Sequence, residues 1–360
     1  MYDRRHNMMS KKGLQLNLVC IVFLAAIIAV LYLNSGQIFA AVKSPSPKEV
    51  DSFEQNKRLG RGVNIIGYDP LWRSRSKARI QSEHFKLIKE AGFNNVRINL
   101  HPFQYGNADE NNKLSETWFQ TLDWAIEQAL SNNLMVILDF HEFNAMARDP
   151  LGKKARFLAI WKQIAERYKD YPDEVTFEIL NEPNRELTPE LWNGFLGEAL
   201  AVIREKNPVR TVIIGPANWN NINYLEKLEI PENDRRIIVT IHYYSPMEFT
   251  HQGAGWTSYK DKVGVQWNGT SEEQQAIIRD FDKAQAWVKK HNRPIFLGEF
   301  GAYDKADMPS RARYTSFIAR QAEKMGWSWA YWQFDSDFIV YDIPNKKWVE
   351  PIRDALIPPG

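Results

Sequence analysis

Two glutamates follow apolar segments that are rich in β-forming residues. Glu182 lies in Asn181-Glu182-Pro183, directly after FEIL, and Glu299 lies in IFLGEFG. A carboxylic acid paired with a carboxylate can hydrolyse a glycosidic bond, because one group protonates the leaving oxygen while the other attacks the anomeric carbon or directs a water molecule to it. The pair therefore predicts glycoside hydrolysis, provided that the fold brings both side chains to one place.

Further polar and aromatic residues stand at the ends of neighbouring apolar segments. They are Arg97, Asp139, His141, Trp219, His242, Tyr244 and Trp332. Because side chains alternate along a strand, His242 shares a face with Tyr244, and Asp139 shares a face with His141. We therefore expect these groups to line the same site as the two glutamates.

The tryptophan content also favours a sugar-binding site. The chain has 13 Trp in 360 residues, more than a core needs, and indole rings stack on the apolar faces of sugar rings. Trp219, Trp256 and Trp267 occur in loops and are candidates for the groove, although packing roles are equally open. The tryptophans near helical stretches are assigned to the core or the surface.

The segments that carry these residues form one repeating pattern. Apolar β-rich runs alternate with stretches of helical period from Arg61 onward. The runs are Gly62–Gly67, Asn94–Leu100, Leu134–Phe140, Val175–Asn181, Thr211–Ala217, Ile237–Tyr244, Pro294–Gly301 and Trp327–Phe334. The main helical stretches are Lys77–Ala91, Ser115–Asn132, Lys153–Tyr168, Pro189–Lys206, Glu272–Lys290 and Ser310–Met325, with a weaker one near Ile222–Leu228.

Eight such units of about forty residues predict an α/β fold with a single (β/α)8 TIM barrel. The carboxyl ends of the strands meet at one rim of this barrel, so Glu182 from strand four and Glu299 from strand seven are expected there. Strict alternation would send Asn181 and Glu182 to opposite faces, which predicts an irregularity at the end of strand four. The segment Ser245–Thr270 should overhang the barrel mouth.

At this point the residues resemble a known family. The motifs FEILNEPN, LGEFGAY, NVRINL, LDFHEFN, IHYYSP and WAYWQF together look like glycoside hydrolase family 5, the cellulase-type family of (β/α)8 barrels. The resemblance spans roughly Gly60 to Pro351. It implies cleavage of internal β-1,4 bonds of a glucan by double displacement with retention, with Glu182 as general acid/base and Glu299 as nucleophile.

The same resemblance implies roles for other positions. Arg97 and Tyr244 would hold and ionise the nucleophile, and Asn181 would bind the sugar 2-hydroxyl group. His141 and His242 would line the site, and Trp332 would be a sugar platform. Two departures, Glu142 and the segment ANWNN after strand five, leave the substrate open among β-1,4-glucan, mannan, xyloglucan and mixed-linkage glucan.

Arg97 and Glu178 could have a structural role instead of a catalytic one. Arg97 is also a candidate for a structural ion pair with Glu178, which is expected inside the barrel and paired.

A non-catalytic sugar-binding or cell-envelope protein is the alternative outside the enzyme class, although two intact acids argue against it. The histidines and glutamates at the rim show no HExxH-type spacing, so we expect neither a metal nor a cofactor.

Charge and cysteine content exclude several classes. The net charge is +2 with 46 basic and 44 acidic residues, and the first forty residues alone carry +3, leaving −1 for the rest. A body without excess positive charge lacks the footprint of a nucleic-acid-binding protein. Cys20 is the only cysteine, so the folded part has no disulfide bond. The expected partner is a polysaccharide substrate, and the expected state is a monomer.

The N-terminus reads as a targeting segment. Leu18–Leu33 is an apolar run that follows basic residues, the order found in secretory signals. Residues 1–40 are therefore a cleaved signal peptide or a retained anchor that uses residues 14–33, followed by a linker and N-terminal extension over 41–59 and the catalytic domain over 60–360. Both alternatives place the protein outside the cytoplasm, secreted or anchored to the cytoplasmic membrane.

Overall fold

The computed structural model describes residues 49–359, and its centre is a closed barrel of eight parallel strands. The strands are β1 Arg61–Ile65, β2 Asn95–Leu100, β3 Met135–Phe140, β4 Val175–Glu178, β5 Val212–Ile214, β6 Ile237–Tyr243, β7 Ile295–Phe300 and β8 Ser328–Tyr331. Each strand pairs with the next in sequence, and β8 pairs with β1. The predicted (β/α)8 barrel is thus confirmed.

Helices surround the barrel. The longer ones are Ser52–Leu59, Ser82–Glu90, Glu116–Ser131, Pro150–Arg167, Pro189–Arg204, Ser271–His291, Met308–Lys324 and Glu350–Leu356, and the short ones are Pro102–Tyr105, Phe143–Arg148, Ala217–Asn220 and Met247–Thr250. Segments of 3-10 helix cover Pro70–Trp72, Arg75–Lys77 and Ile222–Lys227, and a two-stranded antiparallel sheet joins Tyr341–Asp342 to Lys347–Trp348.

Helix starts follow the capping signals of the sequence. Thr270 accepts a hydrogen bond from the backbone N–H of Glu273, whose side chain accepts from Thr270 in return, the reciprocal arrangement of a capping box. Asp307 caps the helix Met308–Lys324 by accepting from Ser310 N at 3.0 Å. These caps explain why both helices begin within two residues of the predicted positions. The helix predicted over Lys77–Ala91 instead begins at Ser82, after the 3-10 segment Arg75–Lys77, and the stretch predicted near Ile222–Leu228 is a 3-10 helix.

The helix Ser52–Leu59 closes the bottom of the barrel. It lies within segment 41–59, for which the sequence predicted no secondary structure. Asn56 donates to the backbone oxygen of Ile295 at 3.0 Å and accepts from Ser328 Oγ at 2.6 Å, which ties the helix to the starts of β7 and β8. Its last residue joins a small apolar cluster inside the barrel, formed by Leu59, Met135, Ile137, Ile213, Ile238, Phe296 and Ala330.

The predicted irregularity at the end of β4 is confirmed. Regular strand structure ends at Glu178, although Asn181 N still donates to the backbone oxygen of Phe140 on β3 at 3.0 Å. Glu182 then has a left-handed backbone with φ 42°, so its side chain and that of Asn181 do not diverge as strict alternation requires. A non-glycine residue in this region carries backbone strain of about 1–3 kcal/mol.

A second irregularity aligns β6 with β7. The register shifts between Ile241 and His242, so that His242 pairs with Glu299. The residue before Glu299 is Gly298, where an added Cβ would lie 2.6 Å from Thr240 Oγ1 and 2.9 Å from His242 Nε2. Only glycine therefore fits here, and the close approach of the two strands places His242 beside the glutamate.

The predicted signal peptide or anchor lies outside the described residues. Within residues 49–359, no helix combines the length and the apolar character that a membrane crossing needs.

Candidate active site

A cavity of about 760 Å³ opens at the carboxyl ends of the strands. Most of the predicted site residues line it, namely His141, Asn181, Glu182, Trp219, His242, Tyr244, Glu299 and Trp332. Arg97 lies just beneath and is fully buried, with 0% of its surface exposed. The fold thus brings Arg97 and these eight side chains together.

Glu182 and Glu299 face each other across this cavity. One carboxylate oxygen of each, together with a ring nitrogen of His242, lie within 4.8 Å of one another. Carboxyl groups about 5–5.5 Å apart are typical of retaining glycosidases, whereas inverting enzymes separate them by roughly 6.5–9.5 Å to admit a water molecule. The observed approach suits direct attack by one carboxylate on the anomeric carbon.

Two donors hold Glu299. Arg97 Nη1 donates to its Oε1 at 2.9 Å, and the Tyr244 hydroxyl group donates to its Oε2 at 3.0 Å. Arg97 Nη2 also donates to Asn181 Oδ1 at 2.8 Å, so the same guanidinium group fixes the amide beside the acid. Both carboxylate oxygens of Glu299 are thereby oriented, as a nucleophile requires.

His242 orients the other acid. Its Nε2 accepts from Asn220 Nδ2 at 3.2 Å, so its Nδ1 carries the hydrogen and donates to Glu182 Oε1 at 2.8 Å. Burial and the nearby charge of Arg97 hold the pKa of His242 well below its usual range. The imidazole ring is therefore neutral, and it fixes Glu182 without adding a charge to the site.

The pKa values of both glutamates are raised, but Glu299, unlike Glu182, accepts a hydrogen bond from Arg97. Burial raises the pKa of Glu182 well above its usual range, and the charge of Glu299 raises it further. Burial also raises the pKa of Glu299, but Arg97 and the hydrogen bond from Tyr244 act in the opposite direction. Glu299 therefore ionises first, while Glu182 keeps its proton, which is the division of labour that acid and nucleophile need.

Removal of the Tyr244 hydroxyl group should move the acidic limb of the pH profile. Its hydrogen bond favours ionised Glu299, so Tyr244→Phe should raise the pKa of Glu299. On acidification, the variant should therefore lose activity at a higher pH than the wild-type enzyme does. The loss of one such hydrogen bond is expected to shift the acidic limb by about one pH unit. The measurement is kcat/KM against pH. Tyr243→Phe, whose hydroxyl group binds Asp280 instead, is the control, and an unmoved acidic limb in Tyr244→Phe would contradict this assignment.

His141 and Trp332 form one wall of the cavity. Their rings are stacked, with centroids 5.4 Å apart and an interplanar angle of 6°. His141 Nδ1 also lies 2.5 Å from Asp139 Oδ2, and burial lowers the pKa of His141 well below its usual range. The buried hydrogen bond and the stack hold the indole ring of Trp332 in place beside the reacting groups.

The three loop tryptophans divide into two classes. Trp219 and Trp256 line the cavity with 42% and 60% of their surfaces exposed. For Trp267 the packing alternative is the one observed, because only 2% of its surface is exposed and its ring packs against Tyr314 and Phe317. Its segment runs down the outside of the barrel, where Arg313 Nη2 donates to its backbone oxygen at 3.0 Å.

Two residues near the site escaped the sequence-based prediction. Tyr68 lines the cavity with 52% of its surface exposed, and its ring lies 5.1 Å from that of His101. Both lie just beyond strand ends, so extending the search a few residues past β1 and β2 would have found them. Glu142 instead has a local role, because its carboxylate accepts from the backbone N–H groups of Phe103 and Gln104.

Glu182, His242 and Glu299 are also the group that could hold a metal ion. Both oxygens of Glu299 already accept hydrogen bonds from Arg97 and Tyr244, and the guanidinium charge repels a second cation. The contacts within the described residues therefore suit proton transfer and nucleophilic attack better than metal binding.

Comparisons with known proteins agree with this geometry. Residues 56–337 match the model of the cellulase family, glycosyl hydrolase family 5. Endoglucanase H of Acetivibrio thermocellus is 32% identical over 332 residues, which cover 88% of this chain and 35% of that protein. The chain thus spans about a third of the length of that curated relative.

Solved structures with the same fold match this chain over their full length. Thermotoga maritima Cel5A in complex with mannotriose is 46% identical, with a TM-score of 0.81, and covers 85% of this chain and 100% of that chain. The same protein in complex with cellobiose is 46% identical with a TM-score of 0.80 and the same coverage.

Proposed function

The chain belongs to glycosyl hydrolase family 5, and from this membership we propose that it is a retaining endo-β-1,4-glucanase. The observation that carries the proposal is the approach of Glu182 and Glu299 within 4.8 Å at the mouth of the barrel. The match to the family model confirms the resemblance identified in the sequence. The roles proposed below are argued from the contacts of each side chain.

In the first step, Glu299 attacks the anomeric carbon of the sugar above it. Glu182 transfers its proton to the glycosidic oxygen, so the bond to the leaving sugar breaks while the bond to Glu299 forms. Arg97 and Tyr244 keep the attacking oxygens in line. Asn181, held by Arg97, presents its amide N–H group to the 2-hydroxyl group of the sugar.

In the second step, a water molecule releases the sugar from Glu299. Once Glu299 is an ester, its negative charge no longer raises the pKa of Glu182, so Glu182 loses its proton more readily and acts as base toward the water. His242 holds Glu182 in both steps, because its Nδ1–H donates to the carboxylate regardless of which task it performs. Two inversions at the anomeric carbon restore the starting β configuration.

The aromatic lining supports a polysaccharide substrate. Trp332 forms a wall beside the reacting sugar, and Trp219 and Trp256 offer exposed indole faces at other parts of the cavity. Since stacking on indole does not depend on a charged group, a neutral glucan fits this lining. Mannan is the second candidate, because a relative that is 46% identical was solved with mannotriose.

Hydrolysis of a polysaccharide panel tests the proposal. Reducing ends released from soluble cellulose, mixed-linkage β-glucan, glucomannan, mannan and xyloglucan should be most abundant for the first two, with a rapid fall in viscosity because internal bonds are cut. Strong activity on mannan alone would identify a mannanase with the same mechanism. No release from any of these polymers, by a folded protein, would contradict the proposed function.

We extend the proposal to the cellular setting. The apolar run Leu18–Leu33 after basic residues supports export of the catalytic domain, as a secreted or membrane-anchored monomer. Separation of cells into culture medium and membrane fractions, followed by N-terminal sequencing of the mature chain, distinguishes cleavage near residue 40 from retention of the apolar segment.

A further inference from the structure

The guanidinium group of Arg97 is fully engaged inside the barrel. Nε and Nη2 donate to the two carboxylate oxygens of Glu178 at 2.7 and 2.8 Å. Nη2 also donates to Asn181, and Nη1 donates to Asn64 Oδ1 at 2.8 Å and to Glu299 at 2.9 Å. All five N–H groups are thus used. The bidentate pair with Glu178 fixes the plane of the guanidinium group, and that plane determines where Nη1 points.

Glu178 is placed to do this by β4. It is the last residue of that strand, it is fully buried, and it lies opposite Asp139 of β3 and Ile213 of β5. It does not line the cavity, so a bound sugar does not touch it. Its effect on the reaction must therefore pass through Arg97.

The interior holds more acids than cations. The titratable and charged groups around Glu178 are Arg97, Asp139 and Glu182. Those around its partner Arg97 also include His141, His242 and Glu299. Burial lowers the pKa of both histidines well below the usual range, so they are neutral. Arg97 is the one cation within this group.

We propose that Glu178 is a positioning residue for the reaction, which acts through Arg97 by aiming its guanidinium group at Glu299 and by neutralising much of its positive charge. This inference rests on the proposed function of Glu182 and Glu299. Without the charge of Glu178, Arg97 would stabilise negative charge on both acids more strongly. Glu182 would then release its proton at a lower pH and serve less well as the acid of the first step.

The variant Glu178→Gln removes this charge and keeps the size of the side chain. We expect the pKa values of both Glu182 and Glu299 to fall by about one unit. Carbon NMR of protein labelled at the glutamate carboxyl carbon measures both titrations, with resonances assigned by Glu182→Gln and Glu299→Gln. Both limbs of the kcat/KM profile should move to lower pH, and kcat should fall by about tenfold because the guanidinium group loses its orienting partner.

Two further variants separate the effect of the charge of Glu178 from the effect of its position. Glu174→Gln, near the start of β4 and paired with Arg58 at the surface, is the matched control and should leave both titrations and kcat unchanged. Glu178→Asp keeps the charge but shortens the side chain, so kcat should fall while both limbs stay in place. This variant also decides the matter if Glu178→Gln does not fold, because wild-type kcat in Glu178→Asp would overturn the proposal.

Unshifted titrations in a folded Glu178→Gln protein would likewise overturn it and leave Glu178 a packing residue. The NMR titrations need no turnover, so they test the role of Glu178 even if the wild-type chain hydrolyses no β-1,4-glucan. That latter result would contradict the proposed function separately.

Discussion

Replacement of Glu299 by glutamine is expected to lower kcat on soluble cellulose by about 10⁴-fold or more. Glutamine keeps the shape of the side chain. Its amide oxygen can still accept from Arg97, its NH2 group can donate to the hydroxyl oxygen of Tyr244, and the amide cannot form the bond to the anomeric carbon. The first step of the double displacement is therefore lost. The measurement is kcat from reducing-sugar release at a saturating concentration of substrate.

The fold should survive this change. Burial raises the pKa of Glu299, so the ionised carboxylate is less favourable in the folded chain than in the unfolded one. A neutral glutamine removes that cost, and the unfolding temperature at neutral pH should stay the same or rise. Asp304→Asn, an exposed acid in the loop after β7, is the matched control with wild-type kcat. Turnover near the wild-type level in Glu299→Gln would remove Glu299 from the role of nucleophile.

Replacement of Glu182 by alanine should impair the enzyme in a way that depends on the leaving group. With a polysaccharide, kcat/KM should fall by about 10³-fold, because the sugar oxygen leaves poorly without a proton. With a dinitrophenyl β-cellobioside, whose leaving group needs no proton, the first step should stay fast. The second step then lacks its base, so a burst of dinitrophenol followed by slow turnover is expected.

Azide provides the decisive control for this variant. As an anion it needs no general base, so it should attack the glycosyl ester, restore turnover of the dinitrophenyl substrate and yield a β-glycosyl azide. The wild-type enzyme and Glu186→Gln, an exposed acid in the loop after Glu182, should gain nothing from azide. An equal loss on both substrates without azide rescue would show that Glu182 is not the acid/base residue.

Periodicity alone was enough to predict the barrel. The eight apolar runs correspond to β1–β8 in order, because each strand is buried on both faces and the runs are therefore continuous. The strand ends were less accurate. β5, for example, is only Val212–Ile214, since the last residues of its predicted run turn outward to carry Asn218 and Trp219 with left-handed backbones.

The site residues were predictable where a residue type suited to catalysis stands at the carboxyl end of a strand. Glu182, Glu299 and His242 meet because their strand ends share one rim. The contacts that decide their chemistry were not predictable, because they depend on register. The shift that pairs His242 with Glu299 follows from the close approach of β6 and β7, which no local pattern indicates. The ion pair of Arg97 with Glu178, a candidate from the sequence, is confirmed, but its bidentate geometry depends on how the barrel places β2 and β4 on either side of β3. For Trp267 the sequence left the groove and the core equally open, and the packing of its loop against the helix Met308–Lys324 decides for the core.

The configuration of the first product tests the central claim most directly. Proton NMR of cello-oligosaccharide hydrolysis, recorded within the first minutes before mutarotation, follows the anomeric signal at the newly formed reducing end. Double displacement by Glu299 and Glu182 predicts that the β anomer appears first and the α anomer grows in later. Initial release of the α anomer would mean that water attacks directly, and it would contradict the assignment of Glu299 as a nucleophile.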